Sequence, residues 1–298
     1  DAFCFYHYWF GKGKKLLEKP IENFLNNKNY NFQFCLSWAN ENWSRRWDGS
    51  ENQILMKQEY GDKDDWVSHF KYLLCFFKDN RYLKIDNKPV FIIYRPEIIP
   101  ELKEMIEVFR ELAKNNGFDD LVLISQHPNF YLNHKALHNL FDYKIEFEPL
   151  FTFNRLNKLQ RIRNYLNMNV VKNLGLKYFL KYLTLKIINK NTFQIRSYKH
   201  TSLHSSKYIS ADNNSIPGIF VDWDNTSRKK HNSVIYIGSN PKLFRKYLDS
   251  KINKSKTYNK SSLIFINAWN EWAEGAYLVI NRSPSELTKN PPSPLQPS

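Results

Sequence analysis

"LIFINAWNEWAEGAYL", residues 263–278, begins as an apolar strand and ends in a cluster of amide, carboxylate and indole groups. Glu271 and Glu274 lie three residues apart within that cluster. On an extended strand, residues three apart point to opposite faces, whereas on a helical or 3₁₀ turn they point to one side. Gly275 permits a tight turn directly afterwards. The stretch therefore predicts a strand that ends near Trp269 and turns so that both carboxylates face one space.

The same arrangement recurs along the chain, where short apolar runs alternate with helical patterns. Strand-like runs occupy residues 2–9, 32–38, 90–94, 121–125, 143–147, 218–222 and 263–269. Apolar residues at three- and four-residue spacing predict helices at residues 20–25, 64–78, 100–115, 136–141 and 241–254. A weaker run at 234–237 is either an eighth strand or a short extra one. This alternation favours a parallel sheet covered by helices.

Polar and aromatic clusters follow nearly every predicted strand. In chain order they read "YHYWF", "WANENW", "YRPE", "SQHP", "EFEP", "DWDNT" and "NEWAEG". An open, doubly wound sheet concentrates such residues at one switch point, whereas a barrel gathers them at the carboxyl ends of all its strands. We therefore predict an α/β fold of the (β/α)8 TIM-barrel type.

The positive charge of the chain is concentrated in one segment. The net charge is +15, and residues 151–210 hold twelve Lys and Arg without any Asp or Glu. We interpret this segment as a basic helical insertion that packs outside the barrel with its Lys and Arg outward. It is either a solvated excursion or a surface that docks on an anionic membrane or a lipid-pyrophosphate carrier. No helix-turn-helix, zinc or single-strand-binding signature accompanies the charge, so we expect no nucleic-acid partner.

Length and composition limit the possible domain size, redox compartment and membrane topology. With 298 residues, 42% of them hydrophobic, the chain can form one large domain or two small ones. Cys4, Cys35 and Cys75 are odd in number and lack metal spacing, so we expect buried thiols in a reducing compartment. No apolar run is long enough to cross a bilayer. We expect a cytoplasmic protein, for which peripheral membrane contact through the insertion is the alternative to a solvated excursion.

The proposed domain spans residues 1–280, followed by a tail at 281–298. The tail holds five Pro and four Ser, which predicts disorder. We predict no cofactor and no metal, because no Walker motif and no His/Cys cluster is present. "DWD" at 222–224 does fit the Asp-x-Asp pattern that holds a divalent metal and nucleotide-sugar phosphates in many glycosyltransferases. Such a tripeptide is common by chance, and "DKD" at 62–64 matches it too.

Paired carboxylates and clustered aromatic residues suggest the chemistry. Two carboxylates that share a site can split their pKa values into one acid and one base, as glycosidic-bond chemistry requires. Trp and Tyr rings stack on sugars, and amides and carboxylates bond hydroxyls. The candidate substrate-binding residues are the strand-end side chains Tyr6, His7, Tyr8, Trp38, Asn40, Glu41, Asn42, Trp43, Tyr94, Arg95, Gln126, His127, Glu146, Trp223, Asp224, Asn225, Trp269, Asn270 and Trp272.

Three expectations concern the positions of individual site residues. His7 alternates with Tyr6 and Tyr8, and it is either a lumen-facing residue or a satisfied core histidine. Trp38, Trp43 and Trp223 are expected to line the cavity that contains the two glutamates. The carboxyl carbons of Glu271 and Glu274 should lie roughly 5–8 Å apart, the range that spans retaining and inverting pairs.

Several motifs resemble one known family. "FINAWNEWAEGAYL" is similar to the signature of the WbsX-type "glycosyltransferase" family, whose members are found in bacterial surface-polysaccharide gene clusters. The family is related to glycoside hydrolase family 99, the endo-α-mannosidase and endo-mannanase fold. Further matching motifs, in order, are "FCFYHYWFGKGKKLLEKPIENFL", "FQFCLSWANENWSRRWDG", "KPVFIIYRP", "DYKIEFEP" and "GIFVDWDNTSRKK". Together they cover most of residues 2–149 and 216–278.

The resemblance implies a (β/α)8 barrel and a catalytic pair. By its pattern, Glu271 is the base toward the substrate 2-hydroxyl, forming a 1,2-anhydro sugar. Glu274 is then acid and afterwards base at the glycosidic oxygen, with retention of stereochemistry. The family begins with a strand and helix that this sequence lacks, so residues 2–9 count as the second barrel strand. We expect a gap for one strand.

The predicted function is that of a carbohydrate-active enzyme acting on glycosidic bonds in bacterial surface-polysaccharide (O-antigen or capsule) biosynthesis. Its substrate would be an oligosaccharide or a lipid-linked glycan. Two alternatives stay open. One is a metal- and nucleotide-sugar-dependent glycosyltransferase of lipopolysaccharide biosynthesis, and the other is a non-catalytic glycan-binding barrel.

Overall fold

The computed structural model describes residues 1–45, 50–127, 139–165, 194–208, 210, 212–229, 232–258 and 262–278. The described strands are β1 (Ala2–His7), β2 (Gln33–Trp38), β3 (Trp43–Arg45), β4 (Ser50–Met56), β5 (Lys84–Ile85), β6 (Lys88–Ile93), β7 (Val122–His127), β8 (Tyr143–Glu146), β9 (Gln194–Ser197), β10 (Ser215–Ile216), β11 (Gly218–Phe220), β12 (Val234–Ile237), β13 (Phe265–Asn267), β14 (Asn270–Glu271) and β15 (Ala276–Tyr277).

The helices lie mostly between these strands. They are α1 (Lys19–Asn26), α2 (Lys63–Phe77), α3 (Leu102–Asn115), α4 (Leu150–Arg155), α5 (Lys158–Tyr165), α6 (Tyr198–Lys207) and α7 (Pro241–Tyr258). Two 3₁₀ turns cover Pro96–Ile98 and Trp272–Glu274. Every predicted strand from 2–9 to 263–269 has a counterpart whose ends fall within two residues of the prediction.

The central sheet is parallel and follows chain order. Strands β1, β2, β6, β7, β8 and β10 pair in that sequence. The chain then passes through Pro217 into β11, which pairs in parallel with β13. Within the described part of the chain, β1 and β13 each pair with only one strand. The predicted α/β class with a parallel sheet is therefore confirmed, while the run at 234–237 pairs with β9 outside this sheet.

One face of the sheet is covered by helices. Phe5 packs on Phe24 of α1 with ring centroids 5.2 Å apart, and Phe91 packs on Phe109 of α3 at 6.2 Å. Side chains alternate along a strand, so Tyr6 points to the opposite face. Its register partner Ser37, and Ile92 beyond it, share that opposite face.

Helix α2 shows why the sequence covers the sheet in this way. The Asp62 side chain accepts a hydrogen bond from the Asp65 amide and caps the helix. Trp66, Phe70 and Leu73 then recur at helical spacing and are buried. Much of the aromatic excess of the sequence is therefore core between sheet and helices.

His7 belongs to this helix-facing core. Its Nε2 lies 2.8 Å from Nε2 of His69 in α2, and both side chains are buried. The His69 ring stacks on Trp9 with centroids 4.7 Å apart. Burial lowers the pKa of both histidines, that of His7 to about 3, so the imidazoles are neutral at pH 7. Of the two sequence interpretations, the core histidine is correct and the lumen-facing substrate contact is wrong, because strand alternation turns His7 toward α2.

The basic insertion is described only at its ends, since residues 166–193 lie outside the described part, as do residues 279–298 of the predicted tail. Arg196 in β9 is only 6% exposed, and its guanidinium lies 3.3 Å from the centroid of the Phe153 ring. The expectation that all basic side chains of the insertion point outward is wrong for Arg196. Its outward packing elsewhere and its docking on an anionic membrane stay predictions.

Two further sequence expectations concern membranes and thiols. None of the helices in the described ranges has the length and apolar character needed to span a bilayer. Cys35 is buried, but Cys4 and Cys75 are exposed, so the expectation of three buried thiols is wrong. Cys4 is exposed because it lies on β1, at the edge of the sheet.

Candidate active site

The stretch after β13 folds into a small hairpin. Strands β14 and β15 pair in antiparallel fashion, with Glu271 opposite Ala276. The 3₁₀ turn Trp272–Glu274 connects them, and Gly275 closes it with φ of 61°. This is the left-handed region that favours glycine. The turn brings residues 271 and 274 to one side, as their spacing predicts.

Both glutamates reach the same guanidinium. The Nη1 atom of Arg228 lies 2.9 Å from Oε1 of Glu274 and 4.0 Å from Oε1 of Glu271. Because both distances end on one nitrogen, the two oxygens lie no more than about 7 Å apart. The two carboxylates therefore face one space. The separation of their carboxyl carbons stays a prediction.

The loop after β11 carries Arg228 to this position. The Asp224 amide donates to the Glu274 carbonyl at 2.7 Å, and Ser227 Oγ donates to the Ala273 carbonyl at 2.8 Å. A Cβ on Gly275 would lie 2.9 Å from the Asp224 amide nitrogen, so only glycine fits this close approach. Sequence reasoning missed Arg228 as a site residue, although the "TSRKK" run directly after "DWDN" could have drawn attention to it.

Two tyrosines, Tyr6 and Tyr8, interact with the carboxylate pair. Burial, Tyr94, Cys4 and the Glu274 charge together raise the pKa of Tyr6, in that order of effect. Burial and the Glu271 charge raise the pKa of Tyr8, which Arg228 lowers in part. These interactions place the hydroxyls of Tyr6 and Tyr8 within electrostatic reach of the two glutamates.

Trp43 packs against the tyrosines near the two glutamates. Its ring meets the Tyr8 ring edge-on with centroids 5.2 Å apart, and it contacts Phe10 at 5.4 Å. Trp43 is half-buried, in contrast to the other tryptophans that were expected to line the cavity. The structure therefore brings Trp43 near the glutamates through Tyr8.

Trp38 and Trp223 lie in the core instead. Trp38 is 1% exposed, meets His69 of α2 at 4.8 Å, and donates its indole N–H to the Trp9 carbonyl. Trp223 is buried beside Tyr198 and Tyr236 in a second apolar cluster. The expectation that these two line the cavity is wrong. Trp38 faces the helices because it pairs in register with His7.

The "ANEN" segment holds loops together. The Asn40 amide group donates to the Arg95 carbonyl at 2.7 Å and accepts from the Arg95 amide at 2.8 Å. The Arg95 guanidinium pairs with Glu41. Asn42 Oδ1 accepts from the Gln58 amide. In this structure these polar groups join the loop after β2 to the loops after β4 and β6, and hydroxyl recognition by them stays a prediction.

Of the next two strand ends, only one points toward the helix-free face. Glu146 is buried on the helix side, where it accepts from Ser215 and pairs with Lys251 of α7. The structure thus places Glu146 away from the helix-free face, and its role in substrate binding stays a prediction. Gln126 is 7% exposed, and its Oε1 has no hydrogen-bond partner within the described ranges. The side chain of His127 lies outside the described residues.

The remaining candidates are divided between turn contacts and exposed positions. Asn225 is buried, and its Oδ1 accepts from the Val234 amide, so its contact with a sugar stays a prediction. Asp224 Oδ1 accepts from both the amide and the hydroxyl of Thr226. Asn270 is exposed, and Trp269 is 55% exposed and packs on Phe3 at 5.3 Å.

The first aspartate of the Asp-x-Asp segment accepts hydrogen bonds from neighbouring groups of the protein. Asp222 Oδ1 accepts from the Trp223 amide, and Oδ2 accepts from Ser239 Oγ at 2.6 Å. Burial raises the pKa of Asp222. In the described parts of the chain, no group of three or more His, Cys, Asp or Glu side chains is arranged to hold a metal ion.

Comparison with known proteins finds curated relatives and solved structures. The protein WxcX of Xanthomonas campestris pv. campestris is 28% identical over 280 residues, which are 93% of this chain and 36% of that protein. The chain thus spans about a third of the length of the curated relatives it matches. A solved glycoside hydrolase-like protein is 13% identical with a TM-score of 0.50, over 93% of this chain and 73% of that one.

A second solved structure is the GH99 endo-alpha-mannosidase from Bacteroides thetaiotaomicron. It is 13% identical with a TM-score of 0.47, over 91% of this chain and 63% of that one. At these identities the likeness to the glycoside hydrolase-like protein speaks for the fold alone. The model of the family described as "Glycosyltransferase WbsX" matches residues 1–283. Because that match covers nearly all of its 298 residues, the chain belongs to the WbsX glycosyltransferase family.

Proposed function

We propose that this chain is a carbohydrate-active enzyme that breaks or transfers glycosidic bonds by means of Glu271 and Glu274, in the assembly of a bacterial surface polysaccharide. The observation that carries the proposal is the meeting of both carboxylates at Arg228. The family name, and the name of the matched glycoside hydrolase-like protein, support a glycosyltransferase-like or glycosidase-like activity.

The proposed reaction has two steps. Glu271 takes the proton of the sugar 2-hydroxyl as its oxygen bonds to C1, while the bond from C1 to the leaving oxygen breaks and Glu274 protonates that oxygen. A water or acceptor hydroxyl, deprotonated by Glu274, then opens the 1,2-anhydro ring, and Glu271 returns its proton to O2. Two inversions at C1 give net retention. An acid role for Glu274 requires its ion pair with Arg228 to open during the cycle.

The metal-dependent alternative is less well supported by the contacts. Asp222 and Asp224 hold neighbouring amides and hydroxyls, as a turn does. Two-carboxylate chemistry needs no divalent ion, because the side chains themselves move the protons. We therefore give the Asp-x-Asp segment no role in holding a nucleotide-sugar phosphate.

We expect the activity of the full chain on a glycan substrate to be the same in EDTA and in manganese. Binding of UDP- and GDP-sugars, measured by calorimetry, should show no dependence on manganese. Asp222→Asn is the matched variant, since it removes a charge at the Asp-x-Asp segment while leaving Glu271 and Glu274 in place. Manganese-dependent binding that is lost in Asp222→Asn would overturn the proposal in favour of a nucleotide-sugar transferase.

We also propose that the edges of β1 and β13 accept one further strand, which closes the sheet into a barrel. Residues near this edge expose apolar rings and chains, with Phe32 54%, Ile266 40% and Trp269 55% exposed. The contact of Phe3 with Trp269 brings the two edges near each other. Unpaired strand edges with apolar flanks are templates for another strand. In the family that the sequence resembles, a strand and a helix precede the segment that corresponds to β1.

Hydrogen exchange tests this closure. Fusing the family's leading strand and helix ahead of Asp1 should slow exchange of the outward-facing β1 amides by about 100-fold, because they gain strand partners. Amides of β6, which already pair on both sides, serve as the control and should not change. Equal exchange of β1 with and without the added unit would show that no strand docks there.

A further inference from the structure

A second polar and aromatic cleft lies beside the carboxylate pair. Its volume is about 350 Å³, and its wall combines stacked rings, carboxylates and hydroxyls. The lining residues are Asp222, Asp224, Thr226, Ser227, Ile235, Tyr236, Trp272, Gly275 and Tyr277. Neither Glu271 nor Glu274 is among them, so the cleft is distinct from the space that the two carboxylates face.

One wall of the cleft is an exposed aromatic platform. The Trp272 and Tyr277 rings stack with centroids 4.5 Å apart and planes 28° apart. They are nevertheless 63% and 40% exposed. Large aromatic side chains usually bury such area, so a stacked pair left open to solvent offers a rigid apolar surface at little cost in entropy. The platform belongs to the same hairpin as the glutamates.

A second part of the cleft wall carries fixed hydrogen-bond acceptors. Asp222 and Asp224 lie two residues apart and both line the cleft, while Trp223 between them is buried in the core. Their bonds to Ser239 and Thr226 fix the orientation of the carboxylates. An ionised carboxylate has about four acceptor positions, so each retains capacity for further donors.

The combination of these two walls favours one class of ligand. A pyranose has an apolar ring face that stacks on aromatic side chains and adjacent hydroxyls that donate to a planar carboxylate. A nucleotide phosphate would be repelled by the two aspartates, because like charges at close range are destabilising. A purely apolar ligand would leave those carboxylates desolvated and unpaired, which is costly.

We infer that this cleft binds a pyranose unit of a glycan next to the reacting sugar, stacked on Trp272 and bonded through Asp222 and Asp224. The inference rests on the proposed function and adds to it a contact outside the catalytic pair. The Ser227 bond to the Ala273 carbonyl joins the cleft to the turn between the glutamates. Occupancy of the cleft therefore anchors the substrate within one turn of Glu271 and Glu274.

The test is ligand-observed NMR on the full chain carrying Glu271→Gln. The probes are the methyl α-pyranosides of glucose, galactose, mannose, rhamnose and N-acetylglucosamine. We expect saturation transfer to at least one of them, and a loss of affinity of about tenfold or more in Trp272→Ala. Tyr30→Ala is the matched control, because Tyr30 is 47% exposed, stacks on the ring of Phe24 and does not line the cleft.

The outcomes separate this inference from the proposed function. Absence of saturation transfer to every probe, or unchanged affinity in Trp272→Ala, overturns the sugar-binding cleft whatever the catalytic residues do. An equal loss in Tyr30→Ala overturns it as well, since the effect would then be non-specific. Full turnover by Glu271→Gln would instead contradict the catalytic pair, and sugar binding to the cleft could still be observed in that variant.

Discussion

Glu271→Gln is expected to lower glycan turnover by about 10²–10⁴-fold, while glycan affinity changes by no more than about threefold. The amide keeps the size and shape of the side chain but cannot take the proton of the substrate 2-hydroxyl. Its contact with Arg228 is long, at 4.0 Å, and both groups are partly exposed, so little stability should be lost. Single-turnover rates and calorimetry on the same protein measure the two quantities.

Glu274→Gln should lose turnover to a similar degree but respond differently to the substrate. A glycoside whose leaving group departs without a proton, such as a dinitrophenyl glycoside, should recover part of the rate in Glu274→Gln and little in Glu271→Gln. The reason is that such a substrate bypasses the acid step of Glu274, whereas the base step of Glu274 and the proton transfer to Glu271 are still required, so the rescue is partial. Such a split would assign the two roles separately.

Glu107→Gln is the control for both variants. Glu107 lies on α3 and its side chain is 65% exposed, so its removal changes the net charge equally without touching the site. Its turnover should equal that of the unmodified protein. If Glu271→Gln and Glu274→Gln also keep that turnover, the carboxylates are not catalytic, and the exposed tryptophans are better interpreted as a glycan-binding platform.

The features that the sequence predicts well depend on neighbouring residues. Strand positions follow from short apolar runs, and each predicted strand ends within two residues of the observed one. The turn that brings Glu271 and Glu274 to one side follows from their spacing and from Gly275. These features are set within a few residues, so a single sequence contains them.

Features that depend on distant partners were predicted poorly. Arg228 approaches Glu274 from a position 46 residues away, and Glu146 finds Lys251 at a separation of 105 residues. Trp38 was expected in the cavity because "WANENW" looks like a recognition loop. Alternation alone does not say which face of a strand the helices cover, and here α2 covers the face that contains Trp38 and His7.

A buried ion pair between Lys251 and Glu146 is expected to contribute strongly to the stability of the fold. Lys251 Nζ lies 3.3 Å from Glu146 Oε2, and the two side chains are 2% and 5% exposed. Glu148, 1% exposed, lies in the same interior, where Ser205 and Thr152 donate to its carboxylate. Burial raises the pKa of Glu148, and the charge of Lys251 is the largest of the effects that lower it again.

Lys251→Met should lower the free energy of unfolding by about 3–5 kcal/mol, because it leaves a buried carboxylate without its cation. Lys246→Met on the same helix removes an exposed lysine and should cost less than about 0.5 kcal/mol. Urea unfolding at pH 7 compares them. Equal stability of the two variants would show that the Lys251 charge does not balance the interior carboxylates.

The pH dependence of Lys251→Met should identify the cause of its instability. Without Lys251, the pKa of Glu148 in the folded state rises further above its unfolded value. The folded state then binds more protons than the unfolded state, so stability increases as the pH falls through the folded pKa toward the unfolded one. We therefore expect the deficit relative to the unmodified protein to shrink between pH 7 and pH 5. A deficit that is constant over this range would point to lost packing of the Lys251 methylenes instead, since packing does not titrate.

The double variant Lys251→Met/Glu146→Gln supplies the matching charge test, because removing both members of the pair should recover part of the lost stability at pH 7.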